Sequence, residues 1–125
     1  MKHIISISLF LLLIMSCSSD DNVIDDSNLI CSVENPIENL TWLKSEIDLL
    51  KNDGEKYNYV IQTKHNDQTV FVFRNCNPFS NSVILVRNCE GENIGSIGTR
   101  QEDISSSILE NGTIIWKSDK FECDL

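Results

Sequence analysis

The chain has 125 residues and carries 10 lysines and arginines against 19 aspartates and glutamates, a net charge of −9. A surface this acidic repels phosphate backbones, which argues against nucleic-acid binding. The length suits one domain with one modest core, a size at which crosslinks add materially to stability.

Met1-Lys2-His3 precedes an apolar run from Ile4 to Met15, and Ser16-Cys17 closes it. A cationic start, about a dozen apolar residues and a small residue before the cut describe a secretory signal peptide over residues 1–16. A spanning helix needs roughly 20 apolar residues, and Ser6 and Ser8 interrupt this run. The segment Ile14-Met15-Ser16-Cys17 resembles a bacterial lipobox, with Met15 bulkier than the usual occupant. The alternative is an ordinary signal peptide that happens to end at a cysteine. A thiol is what this chemistry requires, since it takes a diacylglyceryl group as a thioether and frees an amine for a further acyl chain (palmitate). One chain anchors reversibly and two or more anchor stably, at about 0.8 kcal/mol per buried CH2. Cys17 is therefore the expected lipidation site, and it ties the mature chain to a membrane.

Residues 17–30 lack periodicity and aromatic side chains, and contain Asp20, Asp21, Asp25 and Asp26. They read as an acidic flexible tether. Ser18-Ser19-Asp20-Asp21 resembles the acidic export tag of surface lipoproteins in the Bacteroidota, and a plain solvated tether would look the same. An outer-membrane location is expected, on the periplasmic or the cell-surface face. Loss of Lys2 with the signal leaves nine cations against nineteen acids, a mature charge of −10. Such a charge favours a basic protein partner or a divalent cation, and most commonly means solubility.

The folded domain is expected over residues 31–125. Asn35 caps, Pro36 takes the first helical position and Glu38 completes a capping-box arrangement. Ile37, Leu40, Leu43, Ile47 and Leu50 form one apolar stripe, and Gly54 ends the helix. From Tyr57 the period becomes two: Tyr57, Tyr59, Ile61 and Thr63 alternate with Asn58, Val60, Gln62 and Lys64, as in a half-buried strand. His65 to Gln68 supplies a turn. Thr69–Arg74 and Ser82–Arg87 are apolar at nearly every position, which predicts central strands covered on both faces. A turn at Glu90–Asn93 precedes a strand over Ile94–Gly98, where Gly95 marks a bulge. Thr99–Glu102 repeats the capping-box pattern ahead of Ile104, Ile108 and Leu109, so a short second helix is expected. Thr113–Lys117 reads as the last strand. The fold class is α+β: an N-terminal helix on an antiparallel meander of four to five strands, with a short helix before the last strand.

Of five cysteines, four remain beside Cys17, and an even number in a small exported domain reads as two disulfides. Zinc is the rival, disfavoured because there is no Cys-x-x-Cys and His65 is the sole mature histidine. In a meander, Cys76 and Cys89 follow successive strands and lie at opposite ends of the sheet. A strand of seven residues at about 3.3 Å each separates them by about 20 Å, far beyond the roughly 7 Å limit between bridged Cα atoms. The first helix starts near Cys89 if it ends near the first strand, and a returning last strand reaches the Cys76 end. The expected pairs are Cys31–Cys89 and Cys76–Cys123.

The opening Cys31-Ser32-Val33-Glu34-Asn35-Pro36-Ile37-Glu38-Asn39-Leu40-Thr41-Trp42-Leu43-Lys44 resembles that of a family of small, uncharacterised Bacteroidota lipoproteins. Tyr57-Asn58-Tyr59, Val70-Phe71-Val72-Phe73 and the turn Cys89-Glu90-Gly91-Glu92-Asn93-Ile94 extend the resemblance over most of residues 31–125. Many members carry a further cysteine where this chain has Gly95. The resemblance implies localisation and fold, and no activity.

No nucleophile set, phosphate-binding loop or calcium loop emerges from the residues. His65 lies in a turn and no serine is marked as its partner. No enzyme activity, cofactor or metal is expected. Trp42, off the main helix stripe, with Tyr57 and Tyr59 on one strand face, is the candidate binding surface, because such aromatics anchor interfaces; packing between helix and sheet would use them equally well. The leading expectation is a non-enzymatic protein-binding module, inhibitor or immunity-like at its most specific. The alternative is a structural or accessory lipoprotein without a dedicated ligand. Coverage of the far face of the sheet by Ile104, Ile108 and Leu109 is expected, and it favours the accessory reading.

Overall fold

The computed structural model describes residues 30–80, 83–98 and 103–125. Cys17, the tether up to residue 29 and the Thr99–Glu102 capping pattern lie outside these residues. Two short helical pieces, α1 (Pro36–Asn39) and α2 (Thr41–Asp53), precede five strands: β1 (Asn58–His65), β2 (Gln68–Asn75), β3 (Ile84–Arg87), β4 (Asn93–Ile97) and β5 (Thr113–Lys117). The strands form one antiparallel sheet in the order β4-β3-β2-β1-β5. The α+β class and the meander are as expected, and the last strand returns beside β1.

The expected single helix is broken at Leu40, whose backbone is extended (φ −88°, ψ 104°). The Leu40 N–H still reaches the Pro36 carbonyl, and its own carbonyl accepts from Lys44, both at 3.0 Å. Ile37 and Leu40 both pack against the core under α2. Asn35 takes a left-handed backbone and makes no side-chain cap, contrary to the capping-box expectation. Gly54 does end α2 in the left-handed region at φ 72°.

β1 is buried on both faces rather than half-buried, because β2 and β5 flank it and apolar layers lie above and below. Val60 packs with Leu43, Ile47 and Phe71 under α2. Tyr59 and Ile61 pack on the other side with Val70, Val72, Val86, Ile97 and Ile104. Asn66 and Asp67, both at positive φ, turn β1 into β2 as a two-residue hairpin. The pairing of β3 with β4 shifts at Val86/Arg87, with Gly95 opposite Val86 and Ile94 as the extra residue. The bulge is therefore where Gly95 suggested.

The second helix is one turn of 310 helix, Ser106–Leu109, capped by the Ser105 hydroxyl. Three consecutive serines compete for backbone hydrogen bonds and favour caps over helix interiors. The turn nevertheless covers the far face: Ile104 is buried, Ile108 and Leu109 pack against that cluster, and the Ile108 carbonyl accepts from Thr63 Oγ1 at 2.6 Å. Coverage on both faces holds for β2 but fails for β3, where Leu85 is 37% exposed, since α2 lies over β1 and β2.

Both expected disulfides are present. Cys31–Cys89 and Cys76–Cys123 have Cα separations of 5.4 and 6.0 Å. The first staples the chain entry to the β3–β4 turn, and the second ties the C-terminal segment to the end of β2.

Candidate binding surface

The three aromatics singled out in the sequence do not come together. Trp42 projects from the start of α2 onto the β3–β4 turn, where its Nε1 donates to the Cys89 carbonyl at 2.7 Å. Its ring meets Phe71 edge-on at 5.5 Å and lies 6.3 Å from Phe73. Gly91 makes this approach possible. Its φ is +83°, and a Cβ there would stand 2.7 Å from Trp42 Cδ2. Trp42 thus joins helix, turn and the Cys31–Cys89 crosslink.

Gly91→Ala is accordingly expected to lower stability by about 2–4 kcal/mol, combining left-handed backbone strain with overpacking against the indole. Chemical denaturation gives the loss and Trp fluorescence reports the displaced ring; unchanged values for both would contradict this role.

Tyr59 is only 4% exposed. Phe121 packs edge-on against it at 5.7 Å and the Arg74 guanidinium sits 5.9 Å above it, so it offers no free surface. Tyr57 is half-buried, and its carbonyl accepts from the Cys76 N–H at 3.0 Å. Beside it lies a polar knot that the sequence reading missed. Asn75 Nδ2 donates to Asn58 Oδ1 at 2.7 Å, and the Ser118 N–H and hydroxyl both donate to the Asn58 carbonyl at 2.9 and 3.0 Å. Asn58 and Ser118 are buried, and together they fasten the ends of β1, β2 and β5. An asparagine in strand alternation carries no local mark of such a role.

Residues near the Cys31–Cys89 bond line a groove of about 400 Å3 with Ser32, Gln68, Thr69, Asn88 and Glu90. Its walls are uncharged apart from Glu90, and Asn88 is used internally, its Oδ1 accepting from the Glu90 and Glu92 N–H groups. His65 sits at the β1–β2 turn with Nε2 3.1 Å from Asn66 Nδ2. Among the described residues, no three histidine, cysteine, aspartate or glutamate side chains cluster as metal ligands. No described helix is long and apolar enough to cross a membrane.

The ion pairs Lys44–Glu38 and Lys56–Glu122, at 2.9 and 2.7 Å, are solvent-exposed. Each carboxylate raises the pKa of its lysine through a hydrogen bond and direct charge attraction. Pairs in this setting add little stability.

The exposed large apolar side chains among the described residues are Leu49, Phe79, Val83, Leu85, Ile94 and Leu125, and of these Leu49 and Leu85 lie on the α2 side of the sheet. Leu85 on β3 and Leu49 on α2 are exposed there, and Phe73 is half-buried with Arg87 5.5 Å above its ring. Ile94 on the edge strand β4 is 39% exposed. These residues, not the three aromatics, are the candidate binding surface. Comparison with protein-family models, curated proteins and solved structures finds no match to the chain.

Proposed function

We propose that the chain is an envelope lipoprotein, anchored through lipid on Cys17, whose disulfide-bonded domain is a non-enzymatic protein-binding module. The acidic tether holds that domain off an outer membrane, and the resemblance to small Bacteroidota lipoproteins supports the same location. The observation that carries the binding reading is the exposure of Leu49 on α2 and Leu85 on β3, both on the α2 side of the sheet. Exposed apolar groups grouped on one face mark interaction sites more often than isolated ones do.

A photocrosslinking residue at Leu85, in cells, is expected to yield a discrete protein adduct that the same residue at Lys64 does not. Intact mass of the same preparation is expected to show acylated Cys17. A soluble product with a free Cys17 thiol would remove the anchor, and no adduct at Leu85 would remove the binding reading.

Coverage of the far face by Ile104, Ile108 and Leu109 favours the second reading, an accessory envelope protein without a dedicated ligand. Absence of a Leu85 adduct is the outcome that reading expects.

A further inference from the structure

The sheet is wider than the helix that covers it. Leu43 and Ile47 of α2 pack on Val60 and Phe71, over β1 and β2, and β3 and β4 extend the sheet beyond them. Strands lie about 4.8 Å apart, so the uncovered pair is about 10 Å wide, close to the separation of two packed helices. Leu85 lies on the α2 side of this strip, opposite Ser96, because it shares a face with Arg87. The ion pair between Arg87 Nη1 and Glu46 Oε1, at 2.8 Å, turns the Glu46 flank of α2 toward β3. Leu49 and Asp53 fall on that same flank, three and seven residues further along. The result is a shallow trough beside α2, with Leu85 in its floor and Leu49 on its wall, while Phe73 lies under the Arg87 guanidinium that bridges to Glu46.

We propose that this trough binds a cationic amphipathic helix of another protein, lying alongside α2 with its apolar face on Leu49 and Leu85. The proposal rests on the protein-binding reading above and adds the place and the chemistry of the partner. Charge selects the occupant. Each cation of α2 and β3 is already paired: Lys44 with Glu38, Lys51 with Asp48 and Arg87 with Glu46. Asp53 at one end of the trough, and Glu90 and Glu92 in the turn at the other, have no ion pair among the described residues. A helix with apolar residues at three- and four-residue spacing and lysine or arginine along its edges complements both features. The chain's own Ser18–Asp26 segment and a second copy of the chain are both acidic, so the same charges repel them.

The test uses the chain from position 17 with Cys17→Ser, which retains every described residue and both disulfides. The probe is a synthetic helical peptide of leucine and lysine, compared with a peptide in which glutamate replaces lysine. The cationic peptide is expected to bind and to shift the NMR resonances of Leu49 and Leu85 rather than those of Ile108 and Leu109. Leu49→Ser with Leu85→Ser is expected to weaken binding about tenfold or more, and Asp53→Lys by a few-fold. Raising salt from about 50 to about 300 mM is expected to weaken binding further.

Several results would overturn the proposal. Equal binding of the glutamate peptide would remove the charge selection. Shifts scattered over the acidic surface and insensitive to the leucine changes would mean nonspecific attraction. Resonances already shifted, relative to a chain starting at residue 28, would make the tether the occupant. A concentration-dependent dimer abolished by Leu85→Ser would make it a second copy. A protein adduct at Leu85 in cells without binding of the cationic peptide would leave the binding reading standing and end this proposal alone.

Discussion

Removing the Cys76–Cys123 bond, as Cys76→Ser with Cys123→Ser, is expected to lower the unfolding free energy by about 4 kcal/mol. The bond closes a loop of 47 residues, and restraint of the unfolded chain over such a loop is worth about that much. The Cys31–Cys89 loop spans 58 residues and has a similar expected effect. The two loops overlap between positions 76 and 89, so restraint by one already limits the other and the losses do not add fully. A domain of this size has only about 5–15 kcal/mol of stability in all, and reduction of both bonds is expected to bring it close to unfolding. Denaturant titration of the Cys17→Ser chain before and after reduction measures the effect, with a count of four free thiols confirming that both bonds opened. An unchanged midpoint would show that the folded sheet holds its ends without them.

The disulfide pairing was legible because topology fixes which strand ends meet. A meander places Cys76 and Cys89 at opposite ends, and only Cys31 and Cys123 were left to join them. The Gly54 helix end and the Gly95 bulge were legible for the same kind of reason, each being a local pattern with one structural meaning, whereas the alternation around Tyr59 and Ile61 marked a strand and not its burial on both faces. The break at Leu40 was not legible. The stripe through Ile37, Leu40, Leu43 and Ile47 fits an unbroken helix and carries no mark of the extended Leu40 backbone. The packing of Trp42 and Tyr59 was not legible either, because exposure is decided by neighbours. Tyr59 lies beneath Phe121 and Trp42 is held by Gly91, contacts made across 62 and 49 positions. The apolar run of β3 suggested burial on both faces, but the width of sheet that one helix covers is a property of the assembled fold.

Phe71 and Leu85 are both apolar strand residues on the α2 side of the sheet, and truncating them is expected to cost very different amounts of stability. Phe71 is fully buried, touches Trp42 edge-on and joins Leu43, Ile47 and Val60 in the cluster beneath α2. Phe71→Ala removes a ring that nothing nearby can replace, since Leu43 and Ile47 are fixed on a helix pinned at its start by the Trp42–Cys89 hydrogen bond. The loss is expected at about 3–5 kcal/mol, a large share of the stability such a domain has. Leu85 lies one strand outward, beyond the reach of α2. Leu85→Ser is expected to cost less than about 1 kcal/mol, in line with other exposed positions. Denaturation of the two variants beside the parent chain measures both. A Leu85→Ser loss approaching that of Phe71→Ala would mean that the leucine belongs to the core, and would remove the residue on which the docking trough chiefly depends. A small loss leaves an exposed leucine that stability does not require, which is the condition for a side chain held on the surface for a partner.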